Sequence, residues 1–333
     1  MTHSEGINFV WPQTMPFVPW AGGSETYTLR QMAELDRQGI PAQLILHADA
    51  PPSNLDLLEG LPIQILNDKA ELAALGNTVV FALEPGFDCD ASGLPQRSFV
   101  LLHTPKYPGN SNLRGHTPLV SSRFMAGYWQ RELKLGEQDA PPVIYPPISS
   151  EFSRVRREEP NGSVLYAGRP SVSKGVYTLF ASMHRPPLRG RDYTMTCVKT
   201  INHSGGTDII HRLYDAHPNI TAVPAHSTAA SMAGLLAMHD VVVMPSIWEE
   251  PFGMLSVEAQ HAGCRVVTSN VGGLPETDCG GLIVVEPNNP DALACGIATA
   301  LDAGPLNTEE RMKAIQCFTP QDSINALRHA LKL

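Results

Sequence analysis

A two-domain α/β protein built on doubly wound parallel sheets is predicted from three observations. The chain has 333 residues, enough for about two domains at roughly 150 residues each. Short apolar runs alternate with helix-period segments along most of its length. A proline-rich stretch at 141–150, PPVIYPPISS, and the charged SRVRREEPNGS after it interrupt that alternation near the middle.

In the first half the runs at 7–12, 42–46, 62–65, 78–83, 98–103 and 119–120 are bounded by Gly, Pro and Asp and read as buried parallel strands. Residues 24–38 read as a helix, with Ser24 as N-cap, Glu25 in the first turn and Gly39 as C-cap. Strand, helix, strand at this spacing is a βαβ unit. Beyond the boundary the pattern restarts, with runs at 163–167, 194–198, 220–223, 241–244, 265–269 and 281–285. The expected domains are therefore 1–150 and 151–317. No short repeat or low-complexity tract interrupts them.

Composition narrows the function. The chain is 43% hydrophobic and 17% charged, ordinary for a globular protein with real cores. Its net charge of −9 and lack of a Lys/Arg stripe argue against a nucleic-acid groove and against an anionic membrane surface. Six scattered cysteines without a C-x-x-C pair give no support to a zinc site or a disulfide framework. MTHSEGINFV lacks the pattern of a signal peptide, and no apolar run approaches the ~20 residues of a membrane span. A reduced, cytoplasmic location is the expectation.

In open α/β sheets ligands bind beyond the strand C-termini, so chemistry is sought in those loops. In 241–263, VVVMPSIWEEPFGMLSVEAQHAG, a buried strand ends at Met244-Pro245-Ser246. A helix is expected from about Gly253 to Gly263, with Leu255, Ala259 and Ala262 on its buried face and Glu258 pointing elsewhere. Glu250 precedes that helix and Glu258 lies in it. A helix N-terminus offers free N–H groups and partial positive charge to a phosphate or sugar hydroxyl. The two carboxylates can accept hydrogen bonds from sugar or ribose hydroxyls. Alone, such a pair is more often a first-turn glutamate and a surface glutamate.

The stretch MPSIWEEPFGMLSVEAQHAGCRVVTSNVGGLPE, running on into GLIVVEPNNPDALACGIATAL, resembles the family-4 retaining glycosyltransferases of GT-B fold and carries their Glu-x7-Glu signature. The resemblance is strongest over 162–300 and is anchored before 150 by Gly22–Glu25, His103 and the VSS at 120–122. It implies two Rossmann-like doubly wound domains facing an interdomain cleft, with the nucleotide-sugar bound by the C-terminal domain and the acceptor by the N-terminal one. Residues 318–333 would form a helix crossing back to the N-terminal domain. Glu250 would sit at the reacting centre, Glu258 would hold the donor ribose, and the backbone of Phe252, Gly253, Met254 and Leu255 would contact donor sugar and phosphate.

Three further clusters take meaning beside this resemblance. In VLYAGRPSVSKG a strand ends near Gly168-Arg169, and Lys174-Gly175 opens the next helix. Two cations in one loop can neutralise a diphosphate leaving group. The family carries this G-R…K-G element, which makes Arg169 and Lys174 catalytic and donor-binding candidates rather than solvated surface charges. Ala21-Gly22-Gly23-Ser24-Glu25 matches the family's G-G-x-E, implying that Gly22 and Gly23 face the donor phosphate. His103 ends the strand SFVLLH, where the family often places a histidine against the donor sugar. The other histidines show no metal-ligand spacing.

Asp88-Cys89-Asp90 is a D-x-D, a pattern that chelates a divalent cation in transferases of another fold. It lies in the half without donor motifs and reads as a polar loop, so no metal or other cofactor is expected. KTINHSGG and Val223-Pro224-Ala225-His226 depart from the family's usual loops, leaving the base, UDP or GDP, open. The expected reaction is metal-independent, retaining transfer of a sugar to a carbohydrate, lipid-linked or small-molecule hydroxyl acceptor. Two other readings stay open: an epimerase or phosphorylase on the same fold, and a two-lobed binding protein without chemistry. Oligomeric state has no sequence signal.

Overall fold

The computed structural model describes residues 6–20, 22–50, 59–106, 112–200, 207–226 and 228–333. Ala21 of the glycine-rich segment and most of KTINHSGG lie outside them. The chain divides into two units, Met1–Pro147 with Phe318–Leu333, and Ile148–Cys317.

The first unit is a six-stranded parallel sheet in the order β3-β2-β1-β4-β5-β6. Its strands are β1 (Ile7–Val10), β2 (Ala42–His47), β3 (Ile63–Leu66), β4 (Thr78–Ala82), β5 (Ser98–Leu102) and β6 (Thr117–Val120). Alternation along each strand sorts its side chains between two faces. Ile7, Phe9 and Trp11 join Val80, Ala82, Phe99 and Leu101 in one core. Helix α1 (Gly23–Arg37) covers that core with Tyr27, Leu29, Met32 and Leu35. The C-terminal helix α11 (Pro320–Leu331) adds Ile324, Leu327 and Leu331 to it. Val10, Val79, Phe81, Val100 and Leu102 turn to the other face. They meet Leu72 of α2 (Lys69–Ala74) and Met125, Ala126 and Trp129 of α3 (Arg123–Glu132). Truncating a core residue such as Leu327 to Ala costs about 2–5 kcal/mol.

The N-cap of helix α1 lies two residues earlier than its sequence signal. Gly22 is the N-cap and Ser24 lies inside the helix. Glu25 then falls at the third helical position, from which a carboxylate turns back toward the N-cap. A Cβ on Gly22 would meet Glu25 Oε2 at 2.6 Å. Gly39 follows the last turn with φ +70, while Gln38 is the C-cap.

The second unit repeats the topology. Its strands are β7 (Ser163–Tyr166), β8 (Thr194–Lys199), β9 (Ile220–Pro224), β10 (Val241–Met244), β11 (Arg265–Ser269) and β12 (Leu282–Val285). They lie in the order β12-β11-β10-β7-β8-β9, all parallel. Its helices are α4 (Glu151–Arg154), α5 (Val176–Met183), α6 (Thr207–Ala216), α7 (Ala229–Ala237), α8 (Met254–Ala262), α9 (Pro290–Ala303) and α10 (Thr308–Ala314). Apolar residues of α5 and α9 pack with Val164, Tyr166, Val241, Val243 and Val267 on one face. In each sheet the first strand of the unit lies beside its fourth, so strand order reverses there: β1 beside β4, and β7 beside β10. The loops leaving such a pair part to opposite sides and open a crevice. At the other end of the β7–β10 pair, Arg157 and the amides of Asn161 and Gly162 hold the buried Asp240 carboxylate. That edge is structural.

Candidate active site

The segments after β7 and β10 meet at the reversal point of the second sheet. Ile247 N–H donates to Ser173 O at 2.9 Å, and Trp248 N–H reaches the same oxygen at 3.3 Å. Gly175 caps α5 with φ +72, and a Cβ there would stand 1.8 Å from Pro245 O. Only glycine allows this approach. The neighbouring Lys174 is thereby carried to the end of β10.

Its ammonium is ion-paired with Glu250 Oε1. The same oxygen accepts from Ser246 Oγ at 2.6 Å. Lys174 Nζ also stands 5.4 Å from the Trp248 ring centroid, in cation–π range. Glu250 is 6% exposed. A carboxylate so far from water needs such partners, because burying an unpaired charge costs several kcal/mol or more. Arg169 lies three residues beyond β7 and is exposed, and its backbone oxygen accepts from Tyr166 Oη at 3.0 Å. Among the described residues its side chain makes no ion pair.

The loop 245–253 is held from beneath by 271–277. Gly273 N–H donates to Glu250 O at 2.7 Å. Gly272 has φ +57, and a Cβ on it would lie 2.3 Å from Glu250 O. Helix α8 (Met254–Ala262) is capped by Gly253 and Gly263, in keeping with its sequence signals, and its N-cap makes no side-chain cap bond. Its burial differs from the amphipathic expectation. Residues 256–262 are all buried, Glu258 included at 7% exposure, whereas Leu255 is half-buried. For Ser256 and Gln260 the reason is a second polar layer beyond the helix. Gln260 Nε2 donates to Thr277 O at 2.8 Å, and its Oε1 accepts from Cys279 N–H at 2.8 Å. Thr277 Oγ1 donates to Ser256 Oγ at 2.7 Å. Phe252 is buried, and Met254 is half-buried in the first turn.

Within the first unit, Gly22 and Gly23 stand at the start of α1, and His103 follows the end of β5. The imidazole and the Tyr27 ring of α1 form a T-shaped pair with centroids 5.0 Å apart. His103 Nε2 is buried and has no hydrogen-bond partner among the described residues. Burial pushes its pKa down to about 3, so the ring is neutral near pH 7. The D-x-D carboxylates serve their own loop. Asp90 caps the turn at Ser92 Oγ and Gly93 N–H, 2.6 and 2.8 Å away, and Asp88 lies 3.8 Å from Arg114. No group of three or more His, Cys, Asp or Glu that could hold a metal occurs among the described residues.

The structure thus brings Lys174 and Glu250 together, at the head of the helix that carries Glu258. The sequence reading kept the two apart, assigning one to the leaving group and the other to the sugar. It also missed Ser246 and Trp248, whose only signal was their place inside the PSIWEE segment.

Residues 215–316 match the family described as glycosyl transferases group 1. A glycogen synthase of Mycobacterium tuberculosis is 31% identical over 171 residues, covering 49% of this chain and 39% of the relative. The chain therefore spans well under half of that relative's length. A glycosyltransferase from Rickettsia africae superimposes with a TM-score of 0.76 at 16% identity, covering 98% of both chains. Anabaena Alr3699/HepE, in complex with UDP and glucose, gives 0.74 at 18% identity over 98% of this chain and 99% of its own. The fold is that of the GT-B glycosyltransferases, with two Rossmann-like parallel-sheet units. The resemblance read from the Glu-x7-Glu stretch is to the group 1 glycosyl transferases.

Among the described residues no helix is long and apolar enough to cross a membrane.

Proposed function

We propose that the protein transfers a sugar from a nucleotide diphosphate donor to a hydroxyl acceptor, with retention of configuration and without a metal ion. The observation that carries this reading is the Lys174–Glu250 pair at the reversal point of the second sheet, whose carboxylate lies within residues 215–316, the stretch that matches the glycosyl transferases. HepE, of the same fold, is in complex with UDP and glucose, which makes UDP-sugars the first donors to try and GDP-sugars the second.

In this reading the second unit binds the donor. Charge grows on the diphosphate as the glycosidic bond opens, and Arg169 and Lys174 stabilise it. Arg169 is exposed and free to turn to an incoming phosphate, whereas Lys174 must shift toward it from Glu250. Amides of the first turn of α8, at Phe252, Gly253, Met254 and Leu255, face donor sugar and phosphate, where the helix dipole favours negative charge. Glu258 accepts hydrogen bonds from the ribose hydroxyls. Glu250, held by Ser246 Oγ, stays beside the sugar when the ammonium leaves it.

The first unit presents the acceptor, a carbohydrate, lipid-linked or small-molecule hydroxyl. Gly22 and Gly23 let donor phosphate approach the start of α1, and the neutral His103 contacts the sugar as a hydrogen-bonding group rather than as a cation. The acceptor hydroxyl attacks from the face that the leaving group vacates, and its proton departs on the leaving phosphate oxygen.

The test is nucleotide release from a panel of UDP- and GDP-sugars, with and without candidate acceptors, in EDTA. One donor is expected to release nucleotide faster with acceptor present, at a rate unchanged by the chelator. Binding without release would make the protein a sugar-nucleotide binder. Loss of activity in EDTA would end the metal-free mechanism.

A further inference from the structure

We infer that Trp248 is a positioning residue for diphosphate binding: its indole face holds the Lys174 ammonium in place as that ammonium moves between Glu250 and the ligand. The inference rests on the glycosyl-transfer reading of this site.

The argument begins with charge. In the free protein the Lys174 ammonium is matched by the Glu250 carboxylate, and the Lys174 side chain is only 19% exposed. An arriving diphosphate competes for the same ammonium, but it repels the carboxylate that holds it. The ring face of an indole attracts a cation through its quadrupole and carries no net charge to repel a phosphate. A contact with Trp248, 5.4 Å from Nζ to centroid, can therefore serve both the resting and the ligand-bound ammonium.

The backbone keeps ring and ammonium in register. Ser173, next to Lys174, accepts from the Trp248 amide, and Gly175, on its other side, lies tight against Pro245. Lys174 is thus flanked by two contacts with the loop that carries Trp248. The indole Nε1 is buried and has no hydrogen-bond partner among the described residues. No hydrogen bond therefore explains the ring's orientation, and Phe can test the face separately from the N–H.

Two measurements test this. In the free protein, NMR of lysine side chains should show the Lys174 ε-methylene shifted upfield by the ring current, identified by its loss in Lys174→Met and moved to the ordinary position in Trp248→Leu. An unshifted Lys174 in the wild type overturns the inference. In titrations with UDP and GDP, Trp248→Leu should weaken binding of the nucleotide that the wild type takes by about 2–30-fold, the range of a partly desolvated cation–π contact. Trp248→Phe should recover most of that loss. In a Lys174→Met background, Trp248→Leu should change affinity by less than about twofold, because coupled residues are non-additive. An equal loss in both backgrounds overturns the positioning role and leaves glycosyl transfer standing. A wild type that binds neither nucleotide overturns the glycosyl-transfer reading, and this inference with it.

Discussion

The two units repeat one strand order, but their strand ends treat charge differently. Past β5 the first unit holds an imidazole that burial keeps neutral, in a T-shaped pair with Tyr27, with Nε2 unpartnered among the described residues. Past β7 and β10 the second unit holds a full ion pair, with a hydroxyl and an aromatic ring gathered around it. The same parallel scaffold thus supports a neutral, hydrogen-bonding site in one case and a charged one in the other. The difference comes from the loops. The β7 and β10 loops approach backbone to backbone through Gly175, which brings opposite charges within reach. His103 meets the Tyr27 ring instead, and desolvation decides its state.

Removing the charges is the harshest way to break this contrast. Arg169→Ala and Lys174→Ala should each lower turnover by about 10²–10³-fold, the scale of losing a group that stabilises developing charge. Steady-state kinetics on the donor found in the panel would measure it, and near-normal turnover in both variants would remove the proposed leaving-group site. Next in size is Gly272→Ala, which sets a Cβ against the Glu250 carbonyl at a positive φ. Backbone strain there costs about 1–3 kcal/mol, to be seen as a lower melting temperature in calorimetry. An unchanged melting temperature would mean that 271–273 does not brace the Glu250 loop.

The neutral side of the comparison is sharpened by pH. The folded pKa of His103, about 3, lies below its ordinary 6.5. As pH falls through 6.5 the unfolded chain takes up a proton that the folded chain refuses, so folding stability declines toward pH 3 and is retained in full above 6.5. His261 in the second unit, pushed down to about 4 by burial, adds a slope of the same sign. His103→Gln should flatten the acid limb of stability measured by urea titration from pH 7 to 4. A limb as steep as in the wild type would mean that the imidazole already carries its proton when folded. The smallest effect is expected at the D-x-D. Asp90→Asn should leave turnover within about twofold, with and without EDTA, because its carboxylate only caps its own turn. Chelator sensitivity that vanishes in this variant would restore a metal role.

Much of the fold was legible because parallel strands buried on both faces read as short apolar runs. Strand existence was recovered throughout, while ends shifted by a residue or two; β6, for example, begins at Thr117 rather than at residue 119. The helix after Pro251 was recovered with its limits, since Gly253 and Gly263 both take positive φ. Ala259 and Ala262 are buried as expected, but Leu255 is half-buried and the polar Ser256, Glu258 and Gln260, which look solvent-facing in sequence, are buried too. Ser256 and Gln260 turn inward to Thr277 and Cys279, which come from a loop after the next strand. The cap of α1 was misplaced for a local reason, the Glu25 carboxylate lying back over Gly22.

The order of apolar runs, the glycines at turns and the spacing of Glu250 and Glu258 are local properties, and they determined the α/β class, the two sheets and the family resemblance. The union of Lys174 with Glu250, the ring beneath the ammonium and the neutrality of His103 were decided only in three dimensions. Ion pairing, cation–π contact and desolvation act over a few ångströms of space, and the residues that supply them here stand as many as 76 positions apart in the chain.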